Sequence, residues 1–106
     1  MRLALTVAAG LTLILIGLGA SAAPPPSADA GGELAARWCA GCHVVAPSGA
    51  GVDNAPRFQD IAKDRAPAEI RTILSGPHAK PMKGFKLKRH EVEDVAAYIE
   101  SLENRH

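Results

Sequence analysis

The sequence predicts an all-α domain, and three observations carry that prediction. Val92, Val95, Ala96, Ile99 and Leu102 recur at steps of three, one, three and three, so they form one apolar stripe on a helix, with Glu91, Glu93, Asp94 and Glu100 off it. The stretch PAEIRTIL opens with Pro67, a residue preformed for a first helical position, and is followed by Gly76. No stretch of the chain reads as a strand of consequence.

At the amino terminus, MRLALTVAAGLTLILIGLGASAA sets one basic residue, Arg2, before an apolar run from Leu3 to Leu18 and then small residues. That is the order of a secretory signal peptide. Ala20 and Ala22 flank Ser21 in the small-x-small pattern of a cleavage site, so the cut is placed after Ala22 and residues 1–22 are removed. The competing reading is a retained membrane anchor, but the run falls short of the roughly 20 apolar residues that a bilayer core demands. Residues 23–29, with Pro24, Pro25 and Pro26, are expected to form an extended tether, and residues 30–106 the folded domain.

The first helix of that domain is expected over about Ala30 to Cys39. Gly31 and Gly32 lie near its start, and glycines there are costly unless a neighbour must come close. PRFQDIAKD, residues 56–64, reads as a shorter helical turn, PAEIRTIL from Pro67 as a third helix, and the stripe ending at Leu102 as the last. So small a domain has little core to bury. Trp38, Phe58, Phe85 and Tyr98 are its only aromatics, and Trp38, Phe58 and Phe85 are expected to pack in the core or against a bound group. A staple is needed, and the two cysteines are the place to look for it.

Both cysteines lie in WCAGCH, residues 38–43. A Cys39–Cys42 disulfide would close a very short loop and stabilise weakly, and the redox-active reading of C-x-x-C expects strands beside it. Zinc would need Cys39, Cys42 and two of His43, His78 and His90, yet the last two are too far apart in sequence to form a second close ligand pair. The reading that gives every residue a task is C-x-x-C-H as an attachment site for haem c. Cys39 and Cys42 would add to the two vinyl groups as thioethers, and His43 would face the iron.

A ligand for the opposite haem face should come from a downstream loop, and HAKPMKGFKL, residues 78–87, offers one. Met82 is the only methionine besides the initiator, and its Pro, Lys and Gly neighbours exclude a regular helix interior. Methionine is ordinarily a gap-filler in cores, but Pro81 and the basic surroundings favour a thioether ligand here. His78 on the same loop and His90 in the first turn of the last helix are the competing ligands.

In these residues the chain resembles the class I monohaem c-type cytochromes, in particular short bacterial periplasmic ones. From about Asp29 to Leu102 the pieces come in the family's order: GGELAARW, CAGCH, NAPRF, the loop with Pro81 and Met82, and VEDVAAYIESL. The resemblance implies a cytochrome c fold, three to four helices wrapped round one covalent haem c with the first and last helices crossing. It implies that the crossing uses a small residue beside an aromatic of the last helix, a place that Tyr98 fits. It also implies that Pro56 offers its carbonyl to the free ring nitrogen of His43. Two departures stand out: Lys83 follows Met82 where the family commonly has proline, and Lys88, which cannot accept a hydrogen bond from helix amides, precedes the last helix.

The expected activity is one-electron transfer in the periplasm, with His43 and Met82 as axial ligands and no enzymatic role. Rival readings are the haem subunit of a periplasmic dehydrogenase and a sensor in which a small ligand displaces Met82. With 12 Lys and Arg against 11 Asp and Glu, and Arg2 lost with the signal, the mature chain is near neutral, which speaks against nucleic acid. Charge is unevenly placed all the same. Lys80, Lys83, Lys86, Lys88 and Arg89 lie together without an acid, so an acidic redox protein is the expected partner.

Overall fold

The computed structural model describes residues 3–4, 8–14, 17, 24–77 and 84–104. Four helices follow one another: α1 (Ala28–Trp38), α2 (Phe58–Asp64), α3 (Pro67–Ser75) and α4 (Arg89–Ser101). Among the described residues there is no strand, only a single antiparallel bridge between Val44 and Gly51. No helix among them is long and apolar enough to cross a membrane.

α1 begins two residues before the sequence places it and takes in Ala28 and Asp29 from the expected tether. The reason is Ser27. Its hydroxyl accepts from Ala30 N–H at 3.1 Å, while its own N–H donates to Asp94 Oδ1 at 2.8 Å. The cap satisfies an amide that the helix start leaves without a partner, and Asp29 in the first turn complements the helix dipole. The helix ends at Trp38, one residue earlier than expected, with Cys39 N–H still bonded to Ala35 O.

α4 packs chiefly on α1, and also on α3 and α2. Its stripe of Val92, Val95, Ala96 and Ile99 is buried, and Leu102 just past its end is buried with it. Ala35, Val45, Phe58, Ala62 and Ile70 complete the core. Removing a side chain as large as Ile70 or Ile99 from water contributes about 1.5–3 kcal/mol, so this small, mostly aliphatic set carries much of the fold. Gly31 permits the crossing. A Cβ there would fall 1.9 Å from the backbone oxygen of Asp94, and one at Gly32 would lie 3.0 Å from the Tyr98 ring. Tyr98 therefore flanks the point where the two helices meet.

α2 and α3 match the expected segments, the latter with Pro67 in its first turn and Gly76 N–H returned to the Thr72 and Ile73 carbonyls. Arg71 of α3 reaches across to α4 and pairs with Glu93 at 2.8 Å and Glu100 at 3.1 Å. The bond to Glu93 and the two nearby carboxylates push its guanidinium above the ordinary arginine range. At the start of α4, Lys88 occupies the cap position, and Glu91 compensates by accepting Lys88 N–H at 2.8 Å. The acidic run on α4 is thus largely engaged: Glu91, Glu93, Asp94 and Glu100 each hold a named partner.

Phe58 is buried as expected, but Trp38 and Phe85 lie outside the core cluster. Trp38 comes after Ala35, the last buried residue of α1, and is 50% exposed. Its ring packs on Phe85, with centroids 5.8 Å apart and planes at 43°.

Candidate functional site

The segment after α1 wraps one more turn. Ala40 N–H bonds Ala35 O at 3.1 Å, and the amides of Cys42 and His43 both return to Cys39 O, at 3.1 and 2.9 Å. One carbonyl thereby gathers the second cysteine and the histidine round the first. Neither cysteine is bridged in a disulfide, and burial pushes the Cys39 thiol above its usual range.

The loop over residues 44–54 is tied down on this turn. Val52 N–H bonds Ala40 O and Asn54 N–H bonds Cys42 O, each at 2.9 Å, while Val45 N–H closes on Ala50 O. Gly51, at φ +114°, runs so close that a Cβ would lie 2.0 Å from His43 O. Farther on, Phe58 N–H bonds Val44 O, and the Tyr98 hydroxyl donates to Val45 O, so α4 holds the loop as well.

His43 sits inside this frame. Its Nδ1 lies 2.6 Å from Pro56 O, and since a carbonyl only accepts, Nδ1 carries the proton. That tautomer puts the lone pair on Nε2. The ring is also 5.1 Å from Phe58, at 52° between planes. A backbone carbonyl and a buried aromatic thus set its orientation.

Of the residues singled out from the sequence, the fold brings Cys39, Cys42, His43 and Pro56 together. Met82 lies outside the described residues, as do His78, Lys80 and Lys83. Lys86, Lys88 and Arg89 are exposed, and His90 is exposed in the first turn of α4. Sequence reasoning passed over the 44–54 loop, Gly51 and the bond between Tyr98 and Val45. The Pro47, Ser48, Gly49 and Gly51 cluster signals a turn there, but its partners are set only by tertiary contact.

These residues fit a covalently bound haem. Two unbridged thiols flank a single helical turn, an imidazole is held by its far nitrogen, and apolar surface lies at hand in Trp38 and in Val52, which is 46% exposed. Among the described residues no three His, Cys, Asp or Glu side chains group to hold a metal ion. Residues 26–99 match the family model described as cytochrome c oxidase, cbb3-type, subunit III. The chain belongs to this family of c-type cytochromes. It is a monohaem cytochrome with the all-α cytochrome c fold, and a haem c electron carrier. The cytochrome is 42% identical over 98 residues, 88% of its own chain and 92% of the other, to cytochrome c-552 of Bradyrhizobium diazoefficiens. No solved structure matches it.

Proposed function

We propose that this cytochrome works in the periplasm as a carrier and not as an enzyme, with Cys39 and Cys42 as thioether anchors and His43 and Met82 as axial ligands of one haem c. The observation that carries the reading is the 2.6 Å bond between His43 Nδ1–H and Pro56 O. It presents Nε2 to a metal and raises the basicity of the ring, which is how second-layer partners tune a histidine ligand. Bound haem supplies a reversible ferric/ferrous couple. The chain's own work is to orient the imidazole, through Pro56 O on one side and the ring of Phe58 on another. A methionine opposite the histidine raises the potential relative to two histidines, which suits delivery of electrons towards an oxidase.

Export rests on residues 1–22, whose Ala20, Ser21 and Ala22 supply a cleavage pattern. If that segment is kept, the same domain faces the periplasm on a membrane anchor. The basic strip of Lys80, Lys83, Lys86, Lys88 and Arg89 fits an acidic redox partner, approached with electrostatic steering.

Intact-mass analysis of the protein matured in a periplasm with haem-attachment machinery tests the assignment. The expected product begins at Ala23, carries one haem, and has a peptide with Cys39 and Cys42 that resists thiol alkylation. A haem-free chain with two reactive thiols would overturn it.

A further inference from the structure

We infer that the Tyr98 hydroxyl is a positioning group for His43, holding the imidazole in place through the buried chain at Val45. The inference rests on the axial reading of His43 above and is independent of the ligand on the opposite face. Ring and hydroxyl of Tyr98 do different work. The ring lies where α1 and α4 cross, 3.0 Å from the place of a Cβ at Gly32. A phenylalanine would fill that place as well. The hydroxyl reaches beyond the crossing and donates to Val45 O, 53 residues away in the chain and two residues past His43.

That bond lands on the frame that orients the imidazole. Val44 and Val45 are both buried; Val44 O accepts the N–H of Phe58, and Val45 N–H bonds Ala50 O. Phe58 packs its ring on His43 and stands two residues after Pro56, whose carbonyl accepts the Nδ1 proton. A shift of the backbone at residues 44 and 45 therefore carries the Phe58 ring and the Pro56 carbonyl with it. The bonds from Val52 and Asn54 tie the loop to the cysteine turn, and Tyr98 ties it to α4, which is packed on the helix that leads into that turn. Without the hydroxyl, the carbonyl of a buried residue loses a donor, and the segment gains by moving towards water.

The test compares Tyr98→Phe with the wild type as ferrous holoproteins, by proton NMR of the His43 ring, and measures the reduction potential of each. Tyr98→Phe is expected to speed solvent exchange of His43 Nδ1–H about two- to tenfold, as loss of one hydrogen bond predicts. A weaker bond at Nδ1 lowers the basicity of the ring, so the potential should rise. Ala36→Gly, at an exposed position of α1, is the control, since it costs a similar amount of stability through the helix backbone. It should lower the urea midpoint and leave exchange and potential at their wild-type values, because exchange through local opening does not follow global stability. Unchanged exchange in Tyr98→Phe overturns the inference. Equal acceleration in both variants does the same, by reducing the hydroxyl to a contributor to global stability. Either result leaves the axial reading of His43 standing. A wild type whose His43 ring protons lack the upfield shift of protons held over a haem face overturns that reading and the inference together.

Discussion

His43 Nδ1 and Pro56 O stand 2.6 Å apart across 13 residues of chain. The bond joins the turn that carries both cysteines to the segment leading into α2, and it leaves Nε2 as the imidazole nitrogen with the lone pair. Because the acceptor is a backbone carbonyl, no side-chain change deletes it, but the ring of Pro56 fixes the φ that aims it. Pro56→Ala should therefore cost about 0.5–1 kcal/mol of stability through added freedom of the unfolded chain. The His43 Nδ1–H should also exchange faster with solvent in the ferrous protein, as read by proton NMR. Exchange as slow as in the wild type would show that the neighbouring loop alone holds the carbonyl.

The crossing of α1 and α4 is the least tolerant place in the fold. Gly31→Ala puts a methyl 1.9 Å from the Asp94 oxygen, and backbone cannot yield as a side-chain tip can. A loss on the order of 3 kcal/mol or more is expected in urea denaturation, against a smaller one for Gly32→Ala, whose new contact is the Tyr98 ring edge at 3.0 Å. Equal losses at the two sites would contradict the geometry.

Arg71 is the electrostatic link between α3 and α4. Its pairs with Glu93 and Glu100 are about one-third exposed, so solvent screens them. Arg71→Gln should destabilise by roughly 1 kcal/mol at low ionic strength, with the difference shrinking in 1 M salt, where the screening length falls to about 3 Å. Chemical denaturation at the two ionic strengths checks this; a difference that does not respond to salt would assign the effect to packing of the arginine stem.

Lys86, Lys88 and Arg89 form the described part of the basic strip, and all three are exposed. If the strip steers an acidic partner, the bimolecular rate of electron transfer should fall as salt rises, and Lys86→Glu should lower it several-fold at low salt with the potential unchanged. Stopped-flow kinetics against an acidic redox protein reads both, and a rate indifferent to salt would remove the strip from the docking surface.

Much of this architecture is legible because it is written locally. The stripe from Val92 to Leu102 and the pair of Pro67 and Gly76 follow from helical period and proline geometry, and both emerge where the sequence puts them. What escaped depends on partners far along the chain. α1 starts early because Ser27 answers to Asp94, 67 residues away. The 44–54 loop is shaped by Ala40, Cys42 and Tyr98, none of which its own composition names. Trp38 reads from sequence as packing either in the core or against a bound group, and the end of α1 carries it past the last buried turn, which leaves the core alternative aside. Cys39, Cys42 and His43 were visible as a motif of three residue types at fixed spacing, whereas Pro56 was visible only through the family's order of pieces.

The central claim is that His43 and Met82 together hold the iron of one covalent haem. The most direct measurement is the oxidised and reduced absorption spectrum of the matured protein beside its Met82→Leu variant. The account predicts sharp c-type bands in both reduced proteins and, in the oxidised state, a weak far-red band present in the wild type and lost in the variant. A wild type that binds haem covalently but lacks that band would contradict it and put another ligand in the place of Met82.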